Sequence, residues 1–292
     1  AGRSSSNSDH PMLRTVALLL VTLSAAVAQA QETGLKRLTQ REDLMGWEAV
    51  GRVDLADEGY CTGTLIAPDL VLTAAHCVFR DAGQAVRDPA AMRFRAGLRD
   101  GRAIAERGVT RVVTAEGYRP ASPADAENIR RDVALLELDA EIHTSVASPF
   151  LIGGDATGGA GISVVSYAAG RDAALSIQRG CRLLGRDSGL LAFNCDVSFG
   201  SSGAPVFDWS GRRPRILSII SAGNRDDDGV TAYGMELAAA VADLRRRLRS
   251  GDGVVVASAD PRTSAKTVER TPGGARGRLP ADRSWRHGPL PI

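Results

Sequence analysis

Between Trp47 and Tyr233 the apolar runs are short, rich in Val, Ile and Leu, and broken again and again by Gly, Pro, Asp and Ser. Runs of this kind read as strands joined by turns. The pattern predicts strands at residues 49–53, 62–67, 70–74, 109–115, 133–138, 162–167, 190–196, 205–208 and 216–221. So many short strands indicate an all-β domain of sandwich or barrel type. One helix closes the pattern: Leu237, Val241, Leu244 and Leu248 recur at helical spacing. Arg245, Arg246, Arg247 and Arg249 fill the other faces and the last turn, where cations suit the helix dipole, and are expected to form a solvated face.

Outside that region the chain changes character. Met12-Leu13-Arg14, an apolar run at residues 16–27 and Ala28-Gln29-Ala30 have the layout of a secretory signal peptide cleaved after Ala30. A membrane anchor needs roughly 20 apolar residues, more than this run offers. Residues 1–11 are read as an upstream extension, 12–30 as the signal peptide and 31–46 as the N-terminal segment of a mature chain beginning at Gln31. Residues 251–292 are poor in large apolar side chains, with seven Lys and Arg against four Asp and Glu. They are expected to form a disordered basic tail. The expected location is secreted or periplasmic, with no membrane association once the signal is removed.

The 292 residues are 43% apolar, enough for a real core. With 36 basic and 34 acidic residues, the net charge of +2 does not point to a nucleic-acid partner. A soluble monomer is the expected state. All four cysteines, Cys61, Cys77, Cys181 and Cys195, lie in the exported part, where thiols oxidise. Their neighbourhood in sequence suggests pairing 61 with 77 and 181 with 195, each closing a loop worth about 3 kcal/mol by chain entropy. No Cys-x-x-Cys or His-x-x-x-His spacing supports a metal site, and neither metal nor cofactor is expected.

Three segments carry chemistry. A serine hydroxyl needs a neighbouring base to take its proton and a carboxylate to hold that base in the right tautomer. His76 follows an apolar strand and adjoins Cys77, which would pin it, whereas His143 sits in a polar, loop-like setting. His76 is the better base. Asp132 precedes the apolar run 133–138, so its carboxylate stands where a strand begins, shielded from water. Arg130 and Arg131 allow a rival view of Asp132 as a surface ion-pair partner. Ser202 lies between Gly200 and Gly203, and glycine lets the backbone turn sharply enough to aim successive N–H groups at one point. Gly200 and Ser202 would supply that oxyanion hole.

The segments Cys61-Thr62-Gly63-Thr64-Leu65-Ile66, Leu72-Thr73-Ala74-Ala75-His76-Cys77, Asp132-Val133-Ala134-Leu135-Leu136 and Gly200-Ser201-Ser202-Gly203-Ala204-Pro205 closely resemble the trypsin-like, chymotrypsin-fold serine proteases. The likeness covers roughly residues 47–249, and the order His, Asp, Ser is the family's own. It implies two packed six-stranded antiparallel β-barrels, at 47–147 and 148–236, with a C-terminal helix at 237–250 and a His76–Asp132–Ser202 triad between the barrels. It also implies protein or peptide substrates cut through an acyl-enzyme. Two positions depart from the family. Ser201 replaces the aspartate that receives a new N-terminus in zymogen-activated members, so that switch cannot operate and the oxyanion loop is expected to be preformed. Ala204 stands where many members have glycine. The stretch Trp47-Glu48-Ala49-Val50-Gly51-Arg52 looks similar to the bacterial branch related to glutamyl endopeptidases.

At the position where the resemblance places the base of the specificity pocket stands Asp196, with Ser221-Ala222-Gly223 as a pocket wall. A buried carboxylate there would select Arg or Lys; the alternative is that Asp196 turns away and hydrogen-bonds the loop. Cleavage after glutamate would need a cationic or histidine recogniser in the second barrel, and residues 148–249 contain no histidine. The rival from another class is a non-catalytic protease homologue that binds a protein partner through the same cleft. Loss of a triad residue would mark it, and all three are present.

Overall fold

Met92-Arg93-Phe94-Arg95-Ala96 buries every second side chain, the period-2 alternation of a strand with one face on a core. In the computed structural model the described residues are 34–56, 59–80, 85–153, 161–226 and 229–258, with Gly2 and the backbone of residues 290–291. The chain divides into two units, Ala1–Thr33 and Gly34–Ile292. The upstream extension and the signal peptide, apart from Gly2, lie outside the described residues.

Sixteen strands among the described residues of the second unit build two sheets, of nine and seven strands. A short β1 (Leu35–Arg37) precedes β2 (Val50–Leu55), β3 (Tyr60–Ala67), β4 (Leu70–Thr73), β5 (Met92–Ala96), β6 (Ala105–Thr114) and β7 (Ala134–Leu138). Strands β2 to β7 pair antiparallel in the order β6-β5-β2-β3-β4-β7, and β6 also pairs with β7, which closes a six-stranded barrel. The second sheet comprises β8 (Gly161–Ser166), β9 (Ser176–Asp187), β10 (Leu190–Phe193), β11 (Pro205–Asp208), β12 (Arg215–Ile219), β13 (Ala222–Asp226) and β14 (Gly229–Met235), in the order β12-β11-β8-β9-β10-β14-β13. Its two ends, β12 and β13, are one stretch of chain bent at Ile220-Ser221, so the sheet curls round until its edges meet in sequence. Strand β1 pairs with β9 outside this path.

The expected all-β, chymotrypsin-like architecture with a C-terminal helix is present, but among the described residues only the first sheet closes as a six-stranded barrel; the second is a curled half-barrel whose end strands do not pair. A short helix α1 (Ala126–Arg130), capped by the Asp125 carboxylate accepting from Asn128 N at 2.8 Å, precedes β7. Helix α2 (Ala238–Ser250) buries Val241, Leu244 and Leu248 and stops at Gly251, whose φ of 80° is the left-handed C-cap that glycine adopts without strain. Its arginines are not simply solvated, as the spacing suggested. Arg245 donates to Ile66 O at 3.0 Å and Arg247 to Thr114 O at 2.8 Å, so two of them tie the helix to the first barrel.

The tail departs from expectation at its start. Val254–Val256 form β15 on the edge of β6, Ala257 N donates to Thr110 O, and Ser258 N donates to Asp88 at 3.1 Å. Three consecutive valines suit a strand, and β6 offers them an edge. Leu290–Pro291 form a two-residue β16 on β13; the rest of the tail lies outside the described residues. Among the described residues no helix is long and apolar enough to cross a membrane.

Two buried clusters fill the molecule, one centred on the first barrel and one inside the second sheet. The first cluster itself reaches into the second sheet through aromatic contacts, with Trp47 5.2 Å and Phe150 4.6 Å from Phe207 of β11 between ring centroids. Buried Tyr167, between β8 and β9, donates its hydroxyl to Leu98 O of the first barrel at 2.9 Å. The barrels therefore meet through packed rings and satisfied hydrogen bonds, a rigid frame for a cleft.

Candidate active site

The end of β4 carries His76 into a single 3-10 turn, Ala75–Val78. Cys77 in that turn is bonded to Cys61 of β3, and Cys181 to Cys195, the two pairings the sequence suggested. The Sγ atoms of Cys61 and Cys77 cluster with the His76 ring, but disulfide sulfurs are not the thiolates a metal would need.

Asp132, in the turn between α1 and β7, is buried and accepts three hydrogen bonds. His76 N donates to Oδ1 at 2.8 Å, His76 Nδ1 bonds Oδ2 at 2.7 Å, and Ser221 Oγ donates to Oδ2 at 2.5 Å. A carboxylate only accepts, so Nδ1 carries the proton and Nε2 of the neutral ring keeps its lone pair. The flanking arginines turn elsewhere: Arg131 pairs with Glu127 and Arg130 donates to Asp187 O. His143 is exposed and bonds Ser145.

Ser202 enters from the second barrel. Its Oγ is buried and has no hydrogen-bond partner among the described residues. A Cβ on the next residue, Gly203, would meet Thr73 Oγ1 at 2.3 Å, Thr62 O at 2.5 Å and Ala74 N at 2.8 Å. The serine turn is thus pressed against the strand end that leads into His76. On its other side Gly203 N donates to Ile220 O at 2.7 Å, beside Ser221.

Thr62 holds this turn in place, and sequence reasoning passed it over. Its N–H donates to Ser202 O at 2.9 Å, its Oγ1 donates to Gly200 O at 2.9 Å and accepts from Tyr167 N at 3.0 Å. The N–H groups of Gly200 and Ser202 donate to no acceptor among the described residues, whereas those on either side are used: Ser201 N donates to Ser198 O and Ala204 N to Ser201 O, each at 2.9 Å. Ser201, where a charged switch residue would stand, is buried, and its hydroxyl lies 3.4 Å from both Ser198 N and Ser166 Oγ. A neutral network holds the loop.

Next to the His76–Asp132–Ser221 cluster a cavity of about 290 Å³ is lined by Phe79, Tyr118, Pro120 and Ile129. Burial, helped by the Asp132 charge, raises the Tyr118 phenol well above its usual range.

Asp196 does not present a free carboxylate. Its Oδ1 accepts from Arg225 of β13 at 3.1 Å, and its own N–H donates to Gln178 Oε1 at 2.6 Å. A second guanidinium stands nearby. Arg171 is pulled down from its usual pKa by burial, against the opposing influence of Asp196 and Tyr60, and its buried Nη1 has no partner among the described residues. Gly223 pairs with Ala232 of β14. Neither arginine was singled out from the sequence, where they lie in polar stretches with no motif around them.

Comparison with known proteins follows the same lines. The family model described as the trypsin-like peptidase domain matches residues 61–213. Among solved structures, a Glu endopeptidase in complex with MPD is 19% identical, covering 74% of this chain and 97% of its own at a TM-score of 0.60. The thermostable serine protease AL20 from an extremophilic microorganism is 19% identical, with coverage of 68% and 96% and a TM-score of 0.56. The protease Anisep from Arthrobacter nicotinovorans is 17% identical, with coverage of 65% and 90% and a TM-score of 0.52. No curated protein matches the chain. At these identities the likeness concerns the fold, which is chymotrypsin-like.

Proposed function

The chain belongs to the trypsin-like peptidase family, and from that premise we propose that it is a serine endopeptidase working through an acyl-enzyme. The observation that carries this reading is the buried Asp132 carboxylate bonded at 2.7 Å to His76 Nδ1, which leaves Nε2 as a base, while the buried Ser202 hydroxyl has no partner among the described residues and rides on a turn pressed against the strand end that leads into His76. Ser202 Oγ attacks the scissile carbonyl carbon and its proton passes to His76 Nε2. The carbonyl oxygen, now negative, is met by the N–H groups of Gly200 and Ser202. Collapse breaks the C–N bond, His76 gives its proton to the leaving amine, and Ser202 is left as an ester. Water, deprotonated by His76, then attacks the ester and frees the acid. The hydrogen bond from Ser202 Oγ to His76 Nε2 forms when substrate fills the cleft, as is common for catalytic hydrogen bonds.

Because Ser201 sits in a neutral network, no new N-terminal ammonium is required for the oxyanion loop to form. Domain limits of 47–147 and 148–236 for the barrels, export after signal cleavage, a monomeric state and the absence of nucleic-acid partners remain parts of the same reading.

Specificity follows from charge. Selection of Arg or Lys requires Asp196 to be free, and Arg225 already neutralises it. The Asp196 charge also reaches Arg171, where it opposes the effect of burial. These two arginines are our candidates for the cationic recogniser that an acidic substrate side chain requires, and one structural relative is itself a Glu endopeptidase. Cleavage after Glu or Asp is the preference we assign. The test is mass spectrometry of a diverse peptide library incubated with the chain from Gln31 and, in parallel, with Ser202→Ala. Cuts after acidic residues that vanish in the variant support both parts. Cuts after Arg or Lys restore Asp196 as the selector, and a folded wild type that cuts nothing moves the reading to a binding homologue.

A further inference from the structure

Strand β13 begins one residue after Ser221, whose hydroxyl donates to Asp132, so its outer edge leads directly away from the candidate active site. One edge of β13 is taken by β14. On the other, Leu290 lies opposite Gly223 and Pro291 opposite Ala222, in antiparallel sense. A segment paired in this way runs from Gly223 towards Ala222, so its chain direction points at Ser221 and the Asp132–His76 pair behind it. The acyl part of a substrate must enter in that same direction, because its residues precede the carbonyl that Ser202 attacks.

Resting on the peptidase reading, we propose that the outer edge of β13 is an interaction surface for the chain's own residues 290–291, which occupy it in competition with the acyl-side residues of a substrate. The chemistry of the two residues suits the role. An unpaired sheet edge accepts any extended backbone, and proline is tolerated at an edge because it need not donate a ladder hydrogen bond. Its fixed φ also lowers the entropy lost on docking. A ligand carried by the same chain binds with an effective concentration set by its tether, not by the protein concentration.

Leu290→Pro in the full chain tests this, since it leaves neither paired residue with an N–H to donate. Two quantities are compared between wild type and variant: amide hydrogen exchange in residues 222–226, and kcat and KM on a short peptide substrate. If the segment holds the edge about four-fifths of the time, its loss lowers KM roughly fivefold. We expect faster exchange in the variant, the lower KM with kcat unchanged, and competitive inhibition of the variant by a synthetic peptide of residues 284–292. Equal exchange overturns the pairing, and faster exchange with equal KM overturns the competition. Labelling of Ser202 by a fluorophosphonate separates the two levels. Labelling with an unchanged KM sinks this proposal alone, whereas no labelling and no turnover in either protein removes the peptidase reading and the competition with it.

Discussion

Gly203→Ala links the fold to the chemistry more directly than any change to the reacting groups. Gly203 has φ +73°, a conformation that costs an L-residue roughly 1–2 kcal/mol. The new methyl would also lie 2.5 Å from Thr62 O and 2.8 Å from Ala74 N, both backbone atoms that cannot swing aside. Thr73 Oγ1, at 2.3 Å, could rotate away only by giving up its 2.9 Å bond to Thr62 O. Overpacking of this kind costs roughly 1–3 kcal/mol, so the variant should lose about 2–5 kcal/mol in all. To relieve the clash the serine turn must withdraw from the strand that carries His76, and a displacement near 1 Å can cost about 100-fold in turnover. Urea unfolding followed by circular dichroism measures the first effect, and the rate of fluorophosphonate labelling at Ser202 the second. Gly185→Ala is the control: its Cβ meets nothing within 4 Å and its φ is not positive, so both readouts should stay near wild type. A Gly203→Ala protein within about 1 kcal/mol of wild type that also labels at the wild-type rate would refute the packing argument.

Four further outcomes follow from the same geometry. Asp132→Asn puts an amide donor where Nδ1–H and Ser221 O–H now donate, which favours the tautomer with the proton on Nε2; kcat should fall by about 10³ to 10⁴ with KM little changed, and a loss under about tenfold would remove Asp132 from the triad. Arg225→Ala frees Asp196, so library cuts after acidic residues should fall by roughly 10- to 100-fold, as expected for a lost charge-assisted bond, while cuts after Arg or Lys rise; an unchanged cut profile would refute the charge argument. Replacing Cys61 and Cys77 together by Ser opens a loop of sequence separation 16 and should lower stability by about 3 kcal/mol in urea, with labelling of Ser202 slowed because His76 loses its anchor. Burial first, then the Asp172 charge, pushes the Tyr60 phenol up to about 12, and burial also raises Tyr118 and Tyr167. Above pH ~10 the unfolded chain therefore holds fewer protons than the folded one, and stability should fall as pH rises from about 10; tyrosinate absorbance from more than one of the four tyrosines well before the loss of circular dichroism would contradict this.

The elements legible in the sequence are those whose signal is local. Residues 205–208 carry their own strand pattern, and the expected strand at 70–74 differs from β4 by one residue. Helix α2 was visible because Val241, Leu244 and Leu248 keep helical spacing within one short window. What escaped has its cause elsewhere in the chain. Strand β9 is twelve residues long but mostly polar on its outer face and broken by Gly180 at φ +79°, so no continuous alternation survives. The β13–β14 hairpin is held by pairing with β10, not by apolar residues of its own at Asn224-Arg225-Asp226. The reading of Asp196 changed for the same reason. A carboxylate's role is set by the charge that reaches it, and Arg225 comes from a hairpin 29 residues later.

Thr62 shows why a site split between two barrels can still be rigid. His76 belongs to the first barrel and Ser202 to the second, so their separation would follow any slip between the two. From His76 the path runs to Cys77, across the disulfide to Cys61, on to Thr62, and through one 2.9 Å hydrogen bond to Ser202 O. The Thr62 hydroxyl ties Gly200 and Tyr167 to the same point, and Thr73 Oγ1 fixes the Thr62 carbonyl from the strand that leads into His76. Apart from the part-buried bond to Gly200 O, every link in that circuit is either covalent or buried, where an unmade hydrogen bond costs the full desolvation of its groups. Relative motion of the barrels at this point would have to break several such bonds together, whereas the outer edge of β13 lies outside the circuit. A strand pairing with that edge can therefore form or break without loosening the geometry that holds Ser202 against the strand of His76.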